Sequence, residues 1–204
     1  MPSPRRPKAT KLATTRMGIT DTEPTPWVGV VLAGGRSSRM GRDKAGLAWR
    51  DQTLLAHACA TLQAAGACRV VVSGDYPEYA GIPDALPALG PLGGLASVVD
   101  ALPDGVLLLV PVDMPLLTPE LLDRLARHQA KPCVTYRDHV LPMRLVVDSH
   151  TRGVITRLLA DTAARRSLRA LHAALGGGCI EARAEQLAEL VNCNTPEQWV
   201  AVAP

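Results

Sequence analysis

Phenylalanine is absent from this 204-residue chain, and aromatic residues of all kinds make up only 3% of it. The core must therefore be built from Leu, Val, Ala and Ile, and the aromatic platforms on which single-stranded nucleic acids stack are excluded. No apolar run approaches the length that crosses a bilayer, and the N-terminus lacks the apolar centre of a secretory signal. The five cysteines, Cys59, Cys68, Cys133, Cys179 and Cys193, are odd in number, widely spaced and free of any CxxC or Cys/His ligand pattern, which points to reduced thiols. Excess charge is scarce as well. Residues 1 to 26 carry Arg5, Arg6, Lys8, Lys11 and Arg16 against Asp21 and Glu23, and that segment accounts for the whole net charge of +3. Elsewhere the cations matter by placement and not by number. These absences predict a cytoplasmic protein with neither a membrane nor a nucleic-acid partner.

Length and a hydrophobic content of 47% fit one globular domain over residues 27 to 204. Residues 1 to 26, rich in Pro, Thr, Arg and Lys and without periodicity, read as a disordered basic leader, with a transit peptide as the alternative. Val28 to Leu32 is a short buried strand. Helical spacing follows from Thr53 to Ala65, with Thr53 as cap and Gly66 at the end, and Cys68 to Ser73 is a second strand. A right-handed crossover makes these two strands parallel neighbours. Ile82 to Leu86 is a short strand or an extended segment, and GPLGG at residues 90 to 94 opens a helix running to Ala101. VLLLV at 106 to 110 is the most hydrophobic run and is predicted to be the central strand, buried on both faces. Beyond it, Thr118-Pro119 starts a helix, strands are expected at Cys133 to Tyr136, His139 to Leu145 and Cys179 to Ala182, and helices at Ser149 to Leu159, Ser167 to Ala174 and from Pro196. The alternation predicts an α/β fold with a mostly parallel central sheet.

Two places carry chemistry. The first strand empties into LAGGRSSRMGRDK at 32 to 44, where Gly34 and Gly35 let backbone N–H groups approach an anion and Arg36, Arg39, Arg42 and Lys44 neutralise it. The spacing is neither GxxxxGK[ST] nor GxGxxG. It reads as a triphosphate cradle, with Arg39 and Lys44 as clamps. Asp113, directly after the central strand, stands where α/β sheets place ligands. Alone it is equally a turn residue before Pro115 or a metal ligand; beside a triphosphate loop it suits Mg²⁺, which takes one or two carboxylates plus phosphate oxygens.

Taken together, LAGGRSSRMGRDK, GPLGG at 90 to 94, PVDMP at 111 to 115 and NCNTPEQW at 192 to 199 resemble the molybdenum cofactor guanylyltransferases, relatives of the sugar-phosphate nucleotidylyltransferases. The resemblance extends from Val28 to the C-terminus. It implies a Rossmann-like three-layer α/β/α sandwich and transfer of GMP from GTP to molybdenum-loaded molybdopterin. It also implies nucleotide contacts by Leu32, Ala33, Gly34 and Asp84, a phosphate lysine at Lys44 and a magnesium aspartate at Asp113. Contacts with molybdenum-insertion and molybdoenzyme-maturation proteins are implied too. Ser73 takes the position of an Asn that the family often carries. Gly35, where cytidylyl relatives read LAAG, leaves room for a purine and favours GTP over CTP. Gly93 and Gly94 would let backbone pass close to the nucleotide.

The five His residues form no acid-base arrangement. Arg166, in the run Arg165 to Arg169, is either an acceptor-phosphate contact or part of a solvated helix face. Asn192 and Asn194 are acceptor contacts or simple helix caps, and the family match favours contacts. The competing readings of the whole chain are a cytidylyl or sugar-phosphate nucleotidylyltransferase and a non-catalytic nucleotide-binding module.

Overall fold

The structure is a computed structural model in which residues 25–34, 44–85, 89–161, 166–195, 198–199 and 202 are described. The leader up to residue 24, Gly35, Arg36, Arg39 and the start of the C-terminal helix at Pro196 lie outside the described residues.

Strand β1 (Trp27–Leu32) lies between parallel neighbours β4 (Arg69–Ser73) and β5 (Gly105–Pro111), so that Val30 faces Val71 on one side and Leu109 on the other. The sheet has six strands in the order β4-β1-β5-β7-β6-β8, completed by β6 (Cys133–Tyr136), β7 (Met143–Val147) and β8 (Gly178–Ile180). All run the same way except β7, which is antiparallel to both β5 and β6. A two-residue-per-strand hairpin, β2 (Ala48–Trp49) with β3 (Gln52–Thr53), lies apart from it.

Period-two alternation along β5 divides the core. Val106, Leu108 and Val110 pack on the face covered by α1 (Leu54–Ala64) and α3 (Pro119–Ala126), whose Leu62, Leu121, Leu122 and Leu125 are fully buried. Leu107 and Leu109 pack on the other face with Leu92, Leu95 and Val98 of α2 (Gly90–Ala101), Ile155 of α4 (Ser149–Ala160) and Leu171 of α5 (Leu168–Ala174). Helices on both faces make the expected three-layer sandwich, and β5, the central hydrophobic run, has sheet neighbours and helices on every side. Gly29 is small for a packing reason: a Cβ there would come within 3.0 Å of Leu62, so its absence lets α1 lie close on β1.

The predicted caps Thr53 and Thr118 each accept a hydrogen bond from a backbone N–H of the first helical turn, at Ala56 and Leu121, and Ser167, expected as the first residue of its helix, is its cap, accepting from Ala170. Differences fall at irregular edges. The strand expected from His139 starts only at Met143 and runs to Val147, because Pro142 has no N–H to give to a ladder. The last strand stops at Ile180, and a 3-10 helix at Ala184–Leu190, unannounced by any periodic pattern, buries only Gln186 and Leu190.

Candidate active site

The carboxyl ends of β1, β4 and β5 share one edge of the sheet, and the predicted residues gather there in two groups. In the first, β1 ends at Leu32, and the N–H groups of Ala33 and Gly34 both donate to the carbonyl of Ser73 at the end of β4, at 3.1 and 2.8 Å. Asp84 follows the Ile82 bridge to Ser73, and α2 begins opposite with no side-chain cap on its first turn. A Cβ on Gly94 would stand 2.6 Å from Ser73 Oγ and 2.9 Å from Asp84 Oδ1, and one on Gly34 would stand 3.6 Å from Asp84 Oδ1. Gly94 is thus needed where two strand ends and the start of α2 converge. The open N–H groups of that first turn suit an anion or a carbonyl oxygen.

Asp84 Oδ1 is buried and has no hydrogen-bond partner among the described residues, and burial pushes the carboxyl above its ordinary value. An unpaired buried carboxylate oxygen costs stability unless a donor such as water or a ligand reaches it. The raised folded value means that folding disfavours the charged form of this carboxyl relative to the unfolded chain. Its contribution to stability is therefore present in acid and is lost as pH rises through that value. Asp84→Asn is expected to raise the Tm of the ligand-free protein at pH 7, with the gain vanishing below pH ~4, while GTP affinity falls about tenfold or more. Melting curves across pH together with calorimetric titration check both signs. Gly94→Ala is expected to weaken GTP about tenfold or more and to cost about 1–3 kcal/mol of stability by overpacking against Ser73 and Asp84; denaturant unfolding and the same titration measure it.

The second group sits at the end of β5. Lys44, opening the 3-10 turn Lys44–Gly46, donates to Asp113 Oδ2 at 3.0 Å and to Asn194 Oδ1 at 2.7 Å, with the carbonyl of Cys193 at 3.5 Å. Both members of the ion pair are largely buried, with side chains 17% and 19% exposed, so water screens them less than an ordinary surface pair. Cys193 N–H donates to the backbone carbonyl of Asp113 at 2.8 Å, which fixes the two segments against each other. Burial first, and the neighbouring Asp113 second, push the Cys193 thiol up against the opposing effect of Lys44, so it stays protonated and inert.

Behind these side chains lies an aromatic buttress. Trp49 meets Trp199 edge to face at 6.2 Å and 69°, and His57 at 6.0 Å. His57 Nε2 donates to the carbonyl of Pro115 at 2.9 Å. The buttress touches the hairpin after Lys44, the turn after Asp113 and the helix after Asn194. Gln198 completes it, its Oε1 accepting the N–H of Asn194 at 2.7 Å and of Thr195 at 3.1 Å. None of Cys193, Gln198, Trp49 and Trp199 was marked as a site residue by sequence pattern; NCNTPEQW was the available signal for three of them.

The site as expected is brought together only in part. Leu32, Ala33, Gly34, Ser73, Asp84, Gly93 and Gly94 form one cluster, and Lys44, Asp113 and Asn194 another. Asn192 is exposed beside the second. Arg166 precedes α5, whose Leu168 and Leu171 pack on the sheet face opposite Trp49, and its buried Nε has no partner among the described residues.

For a metal, Asp113, Asn194 and Cys193 offer only hard oxygen donors, the kind Mg²⁺ takes, and they already surround a cation. Among the described residues there is no group of three or more His, Cys, Asp or Glu that could enclose a metal. A single protein carboxylate fits an ion that shares its coordination with phosphate.

A parallel sheet edge carrying a lysine–aspartate pair beside an uncapped, glycine-lined helix start suits an anionic ligand such as a nucleotide, and the class of protein is given by comparison: a nucleotidyltransferase of the α/β class. The chain belongs to the MobA-like NTP transferase domain family, which it matches over residues 29–175. It is 54% identical over 175 residues to the molybdenum cofactor guanylyltransferase of Xanthomonas euvesicatoria, covering 85% of this chain and 93% of that one. Its fold is shared by molybdopterin-guanine dinucleotide biosynthesis protein A from Archaeoglobus fulgidus, with a TM-score of 0.68 at 16% identity over 85% and 95% of the two chains. It is also shared by 2-C-methyl-D-erythritol 4-phosphate cytidylyltransferase from Thermus thermophilus, with a TM-score of 0.61 at 16% identity over 84% and 95%. The fold alone therefore does not choose the base.

Proposed function

We propose that this chain transfers GMP from GTP to the phosphate of molybdenum-loaded molybdopterin, releasing pyrophosphate. The observation that supports it most is the convergence of Lys44, Asp113 and Asn194 at the end of β5, in a chain 54% identical to a molybdenum cofactor guanylyltransferase. Guanine is favoured on chemical grounds. Its Watson–Crick edge presents two adjacent N–H donors, which one carboxylate accepts together, and Asp84 carries a buried oxygen without a donor. Gly35, on which the steric preference for a purine rests, lies outside the described residues.

The acceptor is a phosphate dianion and needs no general base; its obstacle is repulsion from the triphosphate. The chain meets this by positioning and charge. The α2 start and Gly34 hold the nucleotide close to β1, Lys44 neutralises phosphate charge, and Asn194 with Asn192 faces the acceptor side. Asp113 would hold Mg²⁺, which supplies further neutralisation of the phosphates when bound. Arg36 and Arg39 belong to the same proposal as clamps on the phosphates, and Arg166 as a contact to the acceptor's phosphate. Protein partners in this scheme are those that insert molybdenum and mature molybdoenzymes, met transiently in the cytoplasm.

A thermal-shift comparison of GTP, CTP and UTP, each with Mg²⁺, tests the base. GTP is expected to raise Tm by several degrees, the size that saturation of a specific site produces, with CTP and UTP near zero. Stabilisation by CTP and not by GTP contradicts the guanylyl assignment and favours the cytidylyl one.

A further inference from the structure

Lys44 and Asp113 have each been given a role toward the substrate, yet in the ligand-free chain they are engaged with each other. Among the described residues the ammonium of Lys44 sits among three oxygens: Asp113 Oδ2 at 3.0 Å, Asn194 Oδ1 at 2.7 Å and the Cys193 carbonyl at 3.5 Å. These are one carboxylate, one amide oxygen and one backbone carbonyl, the donor set of a hard-cation site, and it is filled by the chain's own cation. The cage is built and not accidental. Cys193 N–H is tied to the Asp113 carbonyl, Gln198 holds the Asn194 backbone, and Trp49 packs on Trp199 behind both. It is also shielded, with both charged side chains more than four-fifths buried.

We infer that Lys44 is a tethered cation that closes this oxygen cage in the free protein, so that a divalent metal enters only with a triphosphate that draws Lys44 away. Two cations cannot share the cage. A divalent ion beside Asp113 would stand within a few ångströms of the ammonium, in a setting where water screens their repulsion weakly. A nucleoside triphosphate changes the balance because its oxygens are stronger partners for an ammonium than one carboxylate and one amide. Lys44 then moves from cage to phosphate, and Asp113 becomes available at the same moment. The shift requires that the ligand bind the displaced position of Lys44 better than the caged one, which a polyanion does and an uncharged nucleoside does not. The consequence is order: free metal does not charge the site in advance, and metal loading reports that a triphosphate has arrived.

The inference rests on the reading of Lys44 and Asp113 as phosphate and metal residues, and its test separates the two. Mn²⁺ uptake is measured by electron paramagnetic resonance on the full chain with no nucleotide present. Wild-type protein is expected to leave the free Mn²⁺ signal unchanged at metal concentrations where Lys44→Met takes up one equivalent, a difference of about tenfold or more in affinity. The double variant Lys44→Met with Asp113→Asn is expected to lose that equivalent again. Equal affinity of wild type and Lys44→Met, or no uptake by either, overturns the inference. So does tight uptake by wild type alone that Asp113→Asn abolishes, a comparison that needs no substitution of Lys44. None of these outcomes involves GTP or an acceptor, so nucleotidyl transfer stands or falls separately.

Discussion

Asp113→Ala is expected to lower kcat about 10³-fold while GTP still binds within about threefold of wild type. Asp113 stands just after the central strand and its carboxylate is directed at Lys44, in the cluster apart from Asp84. Its removal therefore takes charge from the reacting phosphates more than it takes binding energy from the nucleoside. Stability falls as well, by about 1–3 kcal/mol, because Lys44 loses its charged partner in a largely buried pair while keeping Asn194. Steady-state kinetics of pyrophosphate release with parallel GTP titration checks the split. A proportional loss of binding and turnover would mean that Asp113 merely shapes the pocket, and an unchanged kcat would remove it from the chemistry altogether.

Lys44→Met is the second large effect, an expected fall of roughly 10³-fold in kcat/KM. Unlike the aspartate variant it weakens binding, and it does so selectively: affinity for GTP falls more than affinity for GMP, because the lost ammonium serves the outer phosphates. Lys44→Arg is not expected to restore activity. The guanidinium fork is broader than the ammonium and cannot occupy the space between Asp113 and Asn194 with the same contacts. Titration of GTP, GDP and GMP against each variant measures the selectivity. Equal weakening for all three nucleotides would place Lys44 near the base and contradict its role.

Much of the frame was readable because it is local. The runs ending at Leu32, Ser73 and Val110 lie buried in adjacent parallel strands, and Thr53, Thr118 and Ser167 cap the helices their spacing announced. Asp113 could be marked because a carboxylate after the most hydrophobic strand has a position that topology alone makes meaningful. What joins the site is not local. Lys44 meets Asp113 across 69 residues of sequence and Asn194 across 150. Periodicity carries no information about such pairings, and only the order of strands in the sheet brings the C-terminal NCN segment beside β5. The antiparallel β7 was similarly invisible, since its hydrophobic alternation is the same in either direction. The support beneath the site, Trp49 on Trp199 and Gln198 on Asn194, depends on which faces meet across the core. Arg166 is likewise not placed by its cationic run: only the fold shows that it stands ahead of α5, whose Leu168 and Leu171 pack on the face opposite Trp49.

The two clusters divide the labour that a transfer between two anions demands. In the proposed transfer one, at β1, β4 and α2, would take the nucleoside beside the buried Asp84 oxygen that has no partner among the described residues. The other, at β5, concentrates charge and holds the lysine ready. The comparison that tests the whole account is mass analysis of the product after purified protein is incubated with Mg²⁺, molybdenum-loaded molybdopterin and an equimolar mixture of GTP and CTP. The account predicts one new species, molybdopterin joined to GMP through a pyrophosphate bridge, with release of pyrophosphate. A cytidylyl product, or no product from an acceptor that a known guanylyltransferase converts, would contradict it.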